Sequence, residues 1–453
     1  MSSLITAEVA NRYISHQLLS LGLFDAMEDQ AAEILATYSG TSLIFRSLTE
    51  LSPRAALSLA GFKGEKLILN SYNDLSFEVA ESLSHFTGML DLSGIIEFKS
   101  QSAKGLSDFR GLLKLNGITH LSIEDAEVLS TFKCHQLELS GIKDLQGDAA
   151  LAISAYGGCL DLSSIQEMSL EAAKGLSNHR GELVLKGIRV LTEPAAQYLS
   201  YHEGRLVMYS INDLPDTDGH ADLAGSLSSH PGDVHLPELR QLHQNIAYRL
   251  SFLNGCLAFD ALDSMDDETA ARLSLHKGGI SLPRLKSLHD TPGHVALSEK
   301  IASYNDHISL DGLEYIGDSA AEKLSTFKGE GLLLPKLKHL NDTPGHFALA
   351  YTLAKRNRSI RMDELERLSD RLAEIFSAFR GKEFSMSKVK DFPDTQGYVK
   401  LLVQLLANDE LGYLRLGIHN AGDHCKSLLA CFYLLGKHEQ YKITLPEYVR
   451  KNT

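Results

Sequence analysis

The chain reads as an α/β repeat solenoid: short parallel strands, each followed by a helix, stacked from one end to the other. Three observations predict this. A pattern of leucines recurs every 23 to 30 residues along nearly all 453 residues. Each recurrence opens with an alternating apolar, variable, apolar triplet, the signature of a strand with one buried face. Each then continues with apolar positions three apart, the signature of a helix with one inward stripe.

Leu113 serves as the origin of the register, and Leu115, Ile118, Leu121, Ala126, Leu129 and Phe132 follow it as the apolar positions. Units start at Leu19, Leu43, Leu67, Leu90, Leu113, Leu137, Leu160, Leu183 and Leu206, then at Val234, Leu257, Ile280, Ile308, Leu332, Ile360, Phe384 and Leu414. The turn off the strand often reads Gly-Ile, as at Gly94-Ile95, Gly117-Ile118, Gly141-Ile142 and Gly187-Ile188, where glycine allows a sharp bend. Ser76, Ser122, Ser169 and Thr192 sit where helix N-caps belong, and Ser52-Pro53 joins a cap to a proline at the first helical position. Gly64, Gly88, Gly111, Gly181, Gly204 and Gly278 stand where helix-terminating glycines are expected. A helix of about ten residues cannot stand alone in water, so only the stack is stable.

The division expected from this register has four parts. Residues 1–18 are an N-terminal capping half-repeat that has the helix without its strand. Residues 19–233 carry short units, and 234–442 carry repeats that include longer ones. Residues 443–453 hold a terminal strand, Ile443 to Tyr448, and a tail.

Here the residues carry a resemblance. Leu-x-Leu-x-Gly-Ile-x-x-Leu followed by a short helix resembles a leucine-rich repeat of an atypical, bacterial kind, over essentially the whole chain. These units place Gly-Ile where such repeats carry Asn or Cys. The resemblance implies a horseshoe or arc that binds proteins on its strand face, and it implies no catalytic residue.

The longer units carry an insert: Asp216-Thr217-Asp218-Gly219-His220, Asp290-Thr291-Pro292-Gly293-His294, Asp342-Thr343-Pro344-Gly345-His346 and Asp394-Thr395-Gln396-Gly397-Tyr398. Asp and His are metal-ligand types, which gives one alternative function, a metal-dependent hydrolase built on these inserts. The structural reading is helix initiation: Thr caps, Pro takes the first helical position, and His bonds back to the turn. Tyr398 in place of His favours the structural reading. A second slot, late in the helix, holds Tyr38, Phe62, Phe86, Phe109, Phe132, Tyr156, His179, His202, His276 and Phe327, and predicts an aromatic stack along the solenoid.

Composition bounds the function. The chain is 43% hydrophobic and 23% charged, ordinary for a folded protein, with a formal charge of −14. That charge argues against nucleic acid and favours a protein partner bearing a basic patch. Five cysteines form no disulfide framework, and no phosphate-binding glycine loop, zinc-protease motif or nucleophile elbow stands in a supporting context. The N-terminus lacks a signal-peptide pattern and no apolar run is long enough to span a membrane, so a cytoplasmic location is the expectation. The expected function is a non-catalytic protein–protein interaction scaffold, with no cofactor, metal or catalytic residue. A secreted effector that binds a host protein is the other alternative. The residue between the two strand leucines faces away from the core, and in mid-chain that row turns apolar. The candidate partner-binding residues are therefore Asp161, Val184, Lys186, Val207, Tyr209 and His235.

Overall fold

The computed structural model describes residues 3–304, 308–329, 331–356 and 358–434. The chain is an α/β repeat solenoid that divides into two compact units, Met1–His230 and Pro231–Thr453.

In the first unit, eight short strands form one sheet in sequence order. Every pair is parallel, and the predicted origin residues lie opposite one another: Leu43, Leu67, Leu90, Leu113, Leu137, Leu160, Leu183 and Leu206. In the second unit the same register pairs Val234 with Leu257 and Leu257 with Ile280, Ile308 with Leu332, and Ile360 with Phe384 and Phe384 with Leu414. The register holds because the origin leucines of the paired strands are buried: Leu113, with Leu115 and Ile118 of the same repeat, is 0% exposed. Burying one such side chain is worth about 1.5–3 kcal/mol, and slipping by one residue would turn every one of them to water.

The helices begin as their caps dictate. Ser52, Ser76, Ser122 and Ser169 each accept the backbone N–H three residues on, at 3.0 to 3.2 Å. Thr192 occupies the N-cap position of Glu193–Ser200 without a side-chain capping bond. The aromatic slot is filled as a stack: Tyr38, Phe62 and Phe86 lie near-parallel at 6.4 Å centroid spacing, and Tyr156, His179 and His202 continue the motif at 6.2 and 5.7 Å.

The structure departs from the sequence reading in several places. No strand starts at Leu19, which is 92% exposed; Leu21 enters the core instead. The N-terminal half-repeat has its helix, Ala7–Ile14, preceded by a two-residue strand, Leu4–Ile5, that pairs with Ala26–Met27. This is one of several short ladders lying just before the helices. Ser287–Leu288 with Tyr315–Ile316 and Asp391–Phe392 with Asn420–Ala421 are others. The terminal strand expected at Ile443 lies outside the described residues.

The glycines also have a different cause. Among the described residues only Gly232 of the glycines has a left-handed φ, at 124°. Gly181 is instead required by close approach, since a Cβ there would sit 2.0 Å from the carbonyl oxygen of Gly158 in the preceding repeat. At Gly117 a Cβ would meet two carbonyls at 2.4 Å. These glycines let one repeat's backbone rest directly on the last, rather than freeing a turn.

Candidate functional site

On the outward side of the first unit's sheet, polar residues satisfy one another. Lys114 Nζ lies 2.8 Å from Glu138, Asn116 donates to Glu138 at 2.7 Å, and Asn116 Oδ1 accepts the Ser140 N–H at 2.8 Å. Asp161 accepts the Ser163 N–H at 2.9 Å and is 7% exposed. Val184 and Val207 follow it in register, at 6% and 7% exposure. The sequence reading of Val184 and Val207 as open apolar surface is therefore corrected. On strands about 4.8 Å apart, same-face neighbours touch and cover a side chain as short as valine. The longer residues one step along do reach solvent. Tyr209 is 39% exposed, and the exposed Lys186 ammonium sits 5.7 Å from its ring centroid.

The sixth candidate, His235, belongs to the second unit. It is exposed, with Nε2 2.7 Å from Asp260. It stands beside a groove of about 1070 Å³ that crosses consecutive repeats, with Arg240, Asp263, Arg284, Lys286 and Glu314 among its lining residues. Sequence reasoning missed this groove, although its signal is legible. Leu236-Pro237-Glu238-Leu239-Arg240, Leu282-Pro283-Arg284-Leu285-Lys286 and Leu334-Pro335-Lys336-Leu337-Lys338 alternate with Phe259-Asp260-Ala261-Leu262-Asp263, Leu310-Asp311-Gly312-Leu313-Glu314 and Met362-Asp363-Glu364-Leu365-Glu366. Repeats with a basic end thus alternate with acidic ones.

Backbone rungs set these ends side by side. The N–H of Lys286 donates to Asp263, Glu314 to Lys286, Lys338 to Glu314 and Glu366 to Lys338, at 2.8 to 3.0 Å. Side chains then pair across the rungs: Lys286 with Asp263 at 2.6 Å, Lys338 with Glu314 at 2.5 Å, and Lys388 with Glu364. The first two pairings raise the lysines' pKa and lower that of the carboxyls, chiefly through the side-chain hydrogen bond between them, with the opposite charge adding to it. Asp260, Asp311 and Asp363 accept from His235, Ser309 and Ser385. Among the described residues, Arg240, Arg284, Lys336 and Lys390 make no salt bridge, one in each basic row, and Lys336 acts on Glu314 only at longer range.

The Asp-Thr-x-Gly-His inserts are built into the stack. His220 Nε2 lies 3.1 Å from the Leu191 carbonyl, His294 Nε2 3.2 Å from that of Met265, and His346 Nε2 3.0 Å from that of Ile316. Nδ1 of His294 and His346 accepts the N–H of His289 and Asn341. Both nitrogens of those two rings are thus committed to backbone. Tyr398 donates its hydroxyl to the Leu368 carbonyl, doing with oxygen what the histidines do with Nε2.

The helix caps, however, come from the preceding repeat and not from the threonines. Asp267 accepts the Gly293 N–H at 2.7 Å, Asp318 that of Gly345 at 2.8 Å, and Asp370 that of Gly397 at 2.7 Å. The insert aspartates pass the pattern forward. Asp290 accepts from Asp318 and Ser319, Asp342 from the cap Ser369, and Asp394 from His424 and Cys425. Six carboxylates in a row each stabilise the start of the next repeat's helix.

No protein-family model matches this chain, and no curated protein matches its sequence. Solved structures do. A chain of the Drosophila Toll–Spatzle complex is similar at 13% identity over 92% of this chain and 52% of its own length, with a TM-score of 0.53. The glycosylated form of that complex gives 13% identity over 99% and 61%, with a TM-score of 0.56. The fold is leucine-rich-repeat-like. A chain of the TLR13–ssRNA13 complex is similar at 14% identity over 94% and 65%, with a TM-score of 0.50. This chain therefore spans between about half and two thirds of the length of each of these. One such complex contains RNA, so the fold does not exclude nucleic acid, and the expectation of none rests on the charge of −14 alone. Among the described residues no helix is long and apolar enough to cross a membrane.

Proposed function

We infer that this chain is a non-catalytic protein–protein interaction scaffold of the cytoplasm that takes its partner on the strand-side surfaces of its repeats. The observation that carries this reading is the groove of the second unit, an open surface of about 1070 Å³ spread over consecutive repeats. Its charges answer one another and are not gathered about a reacting point. Surfaces that repeat along a solenoid suit extended contacts with another polymer. The first unit supplies a second contact at Lys186 and Tyr209, framed by Asp161, Val184 and Val207, and His235 borders the groove. The acidic rows suit a partner with basic residues.

The hydrolase reading asks the insert Asp and His side chains to hold a metal. Their hydrogen bonds to neighbouring backbone already employ them, so the inserts favour the scaffold. Affinity capture from native lysate tests the proposal. A protein should be recovered near stoichiometry by the intact chain and lost with Lys186→Glu/Tyr209→Glu. Equal recovery with that variant would remove the first-unit contact from the reading, and recovery of no protein by a well-folded sample would refute the scaffold itself. Tyr209 is the better probe than Val207, because a charge at the covered Val207 would disturb the sheet. Cell fractionation separates the cytoplasmic reading from that of a secreted effector.

A further inference from the structure

We propose that the groove of the second unit takes an extended polypeptide segment carrying acidic residues at every third position. The inference rests on the scaffold reading and specifies its partner. Three cations that line the groove without a salt bridge, Arg240, Arg284 and Lys336, recur once every two repeats. The acids flanking Arg284 and Lys336 on the groove wall are engaged, Asp263 by Lys286 and Glu314 by Lys338, whereas Arg240 shares its row with Glu238. The free cations therefore remain available to an outside anion.

Their spacing selects the ligand. Strands in such a stack lie about 4.8 Å apart, so two repeats advance about 10 Å. An extended polypeptide advances about 3.3 Å per residue, so three residues cover the same step. A segment lying across the repeats would meet Arg284 and Lys336, which hold the same place in their repeats, with side chains three apart, and Arg240 two residues further along its row.

The intervening rows impose the second requirement. Over Asp260 and Asp263, and over Asp311 and Glu314, the ligand meets carboxylates, so its intervening residues must be neutral or basic. A uniform polyanion fails this condition. Single-stranded nucleic acid carries a phosphate at every nucleotide, at steps well under 10 Å, and would set alternate phosphates against the acidic rows. The striped wall thus favours an intermittently acidic peptide over both polyglutamate and nucleic acid. Because the contacts are exposed, binding should weaken steeply with salt.

The test uses the full chain and fluorescence anisotropy at low ionic strength. The probe is a labelled peptide of four Glu-Ser-Gly repeats, compared with its Lys-Ser-Gly counterpart, an all-glutamate peptide of equal length and a single-stranded oligonucleotide. The spaced-glutamate peptide should bind best. Arg284→Glu/Lys336→Glu should weaken it at least tenfold while leaving the thermal melt unchanged, and Arg284→Lys should retain most of the binding. Equal or tighter binding of polyglutamate or the oligonucleotide would overturn the spacing inference, as would binding that survives the double substitution. A chain that captures a protein partner from lysate but ignores the spaced peptide would overturn this inference while leaving the scaffold reading intact.

Discussion

His202 offers a direct test of how the aromatic stack is held together. It lies in a slot that accepts Phe elsewhere, is 3% exposed, and stacks 5.7 Å from His179. Neither of its ring nitrogens has a well-aligned hydrogen-bond partner. Burial, reinforced by the adjacent His179, pushes its pKa down from 6.5 to about 4. A histidine depressed in this way favours the folded state only while neutral. Its contribution is therefore fully present above the unfolded value of 6.5 and is lost as pH falls from there toward 4. The loss over that window is on the order of 2–3 kcal/mol. His202→Phe removes the titration and fits the space that Phe62 and Phe86 occupy in their own repeats. Denaturant melts at closely spaced pH values between 7.5 and 4.5 measure the effect. The variant should match or exceed the native chain at pH 7.5, and the gap between them should widen by about 2 kcal/mol by pH 4.5. His179, His276 and His294, whose pKa values are also lowered by burial, add to the acid sensitivity in both chains, as do carboxyls held low by hydrogen bonds, such as Asp267 and Asp394. A gap that stays constant across that range would refute the assignment of acid sensitivity to His202.

Further outcomes follow from the packing. Gly181→Ala should cost about 2–4 kcal/mol, because its Cβ would collide with the Gly158 carbonyl at 2.0 Å, whereas Gly157→Ala, with nothing within 4 Å, should change stability by under about 0.5 kcal/mol in the same melt. Asp318→Ala removes the acceptor for the Gly345 and His346 N–H groups and should cost about 1–2 kcal/mol, seen in hydrogen exchange as earlier opening of Pro344–Arg356. Tyr398→Phe should lose about 1 kcal/mol with the bond to Leu368, and Tyr398→His should lose less, since His346 makes the equivalent bond in its own repeat.

The parts legible in the chain are those that repetition writes many times. Leu113 and its counterparts announce the sheet register because each repeat buries the same residue, and Ser76, Ser122 and Ser169 announce their helices because a cap acts within four residues. Contacts that cross from one repeat to the next are harder to read. Asp267 caps a helix that begins 25 residues later, and local spacing points to Thr291 instead. Exposure is harder still: Val207 and Tyr209 both face outward, yet only the longer side chain clears its neighbours. The groove lies between these cases. The alternation of Pro283, Asp311, Pro335 and Asp363 is plain in the sequence, and Lys286, Glu314, Lys338 and Glu366 alternate in step with it. That they form one wall depends on the backbone rungs, which only the fold supplies.

The same alternation governs how the second unit can change length. Removing a single repeat, such as the one that begins at Ile308, would bring Lys286 beside Lys338 and leave Asp263 and Glu366 flanking two like charges. It would also join two long repeats and interrupt the relay from Asp290 through Asp318 to Gly345. Removing two consecutive repeats from Ile280 onward keeps every sign opposite its complement and every cap matched to its helix. The heritable quantum of this half of the chain is therefore the pair: shortening or lengthening it by even numbers of repeats preserves the wall, and odd numbers do not.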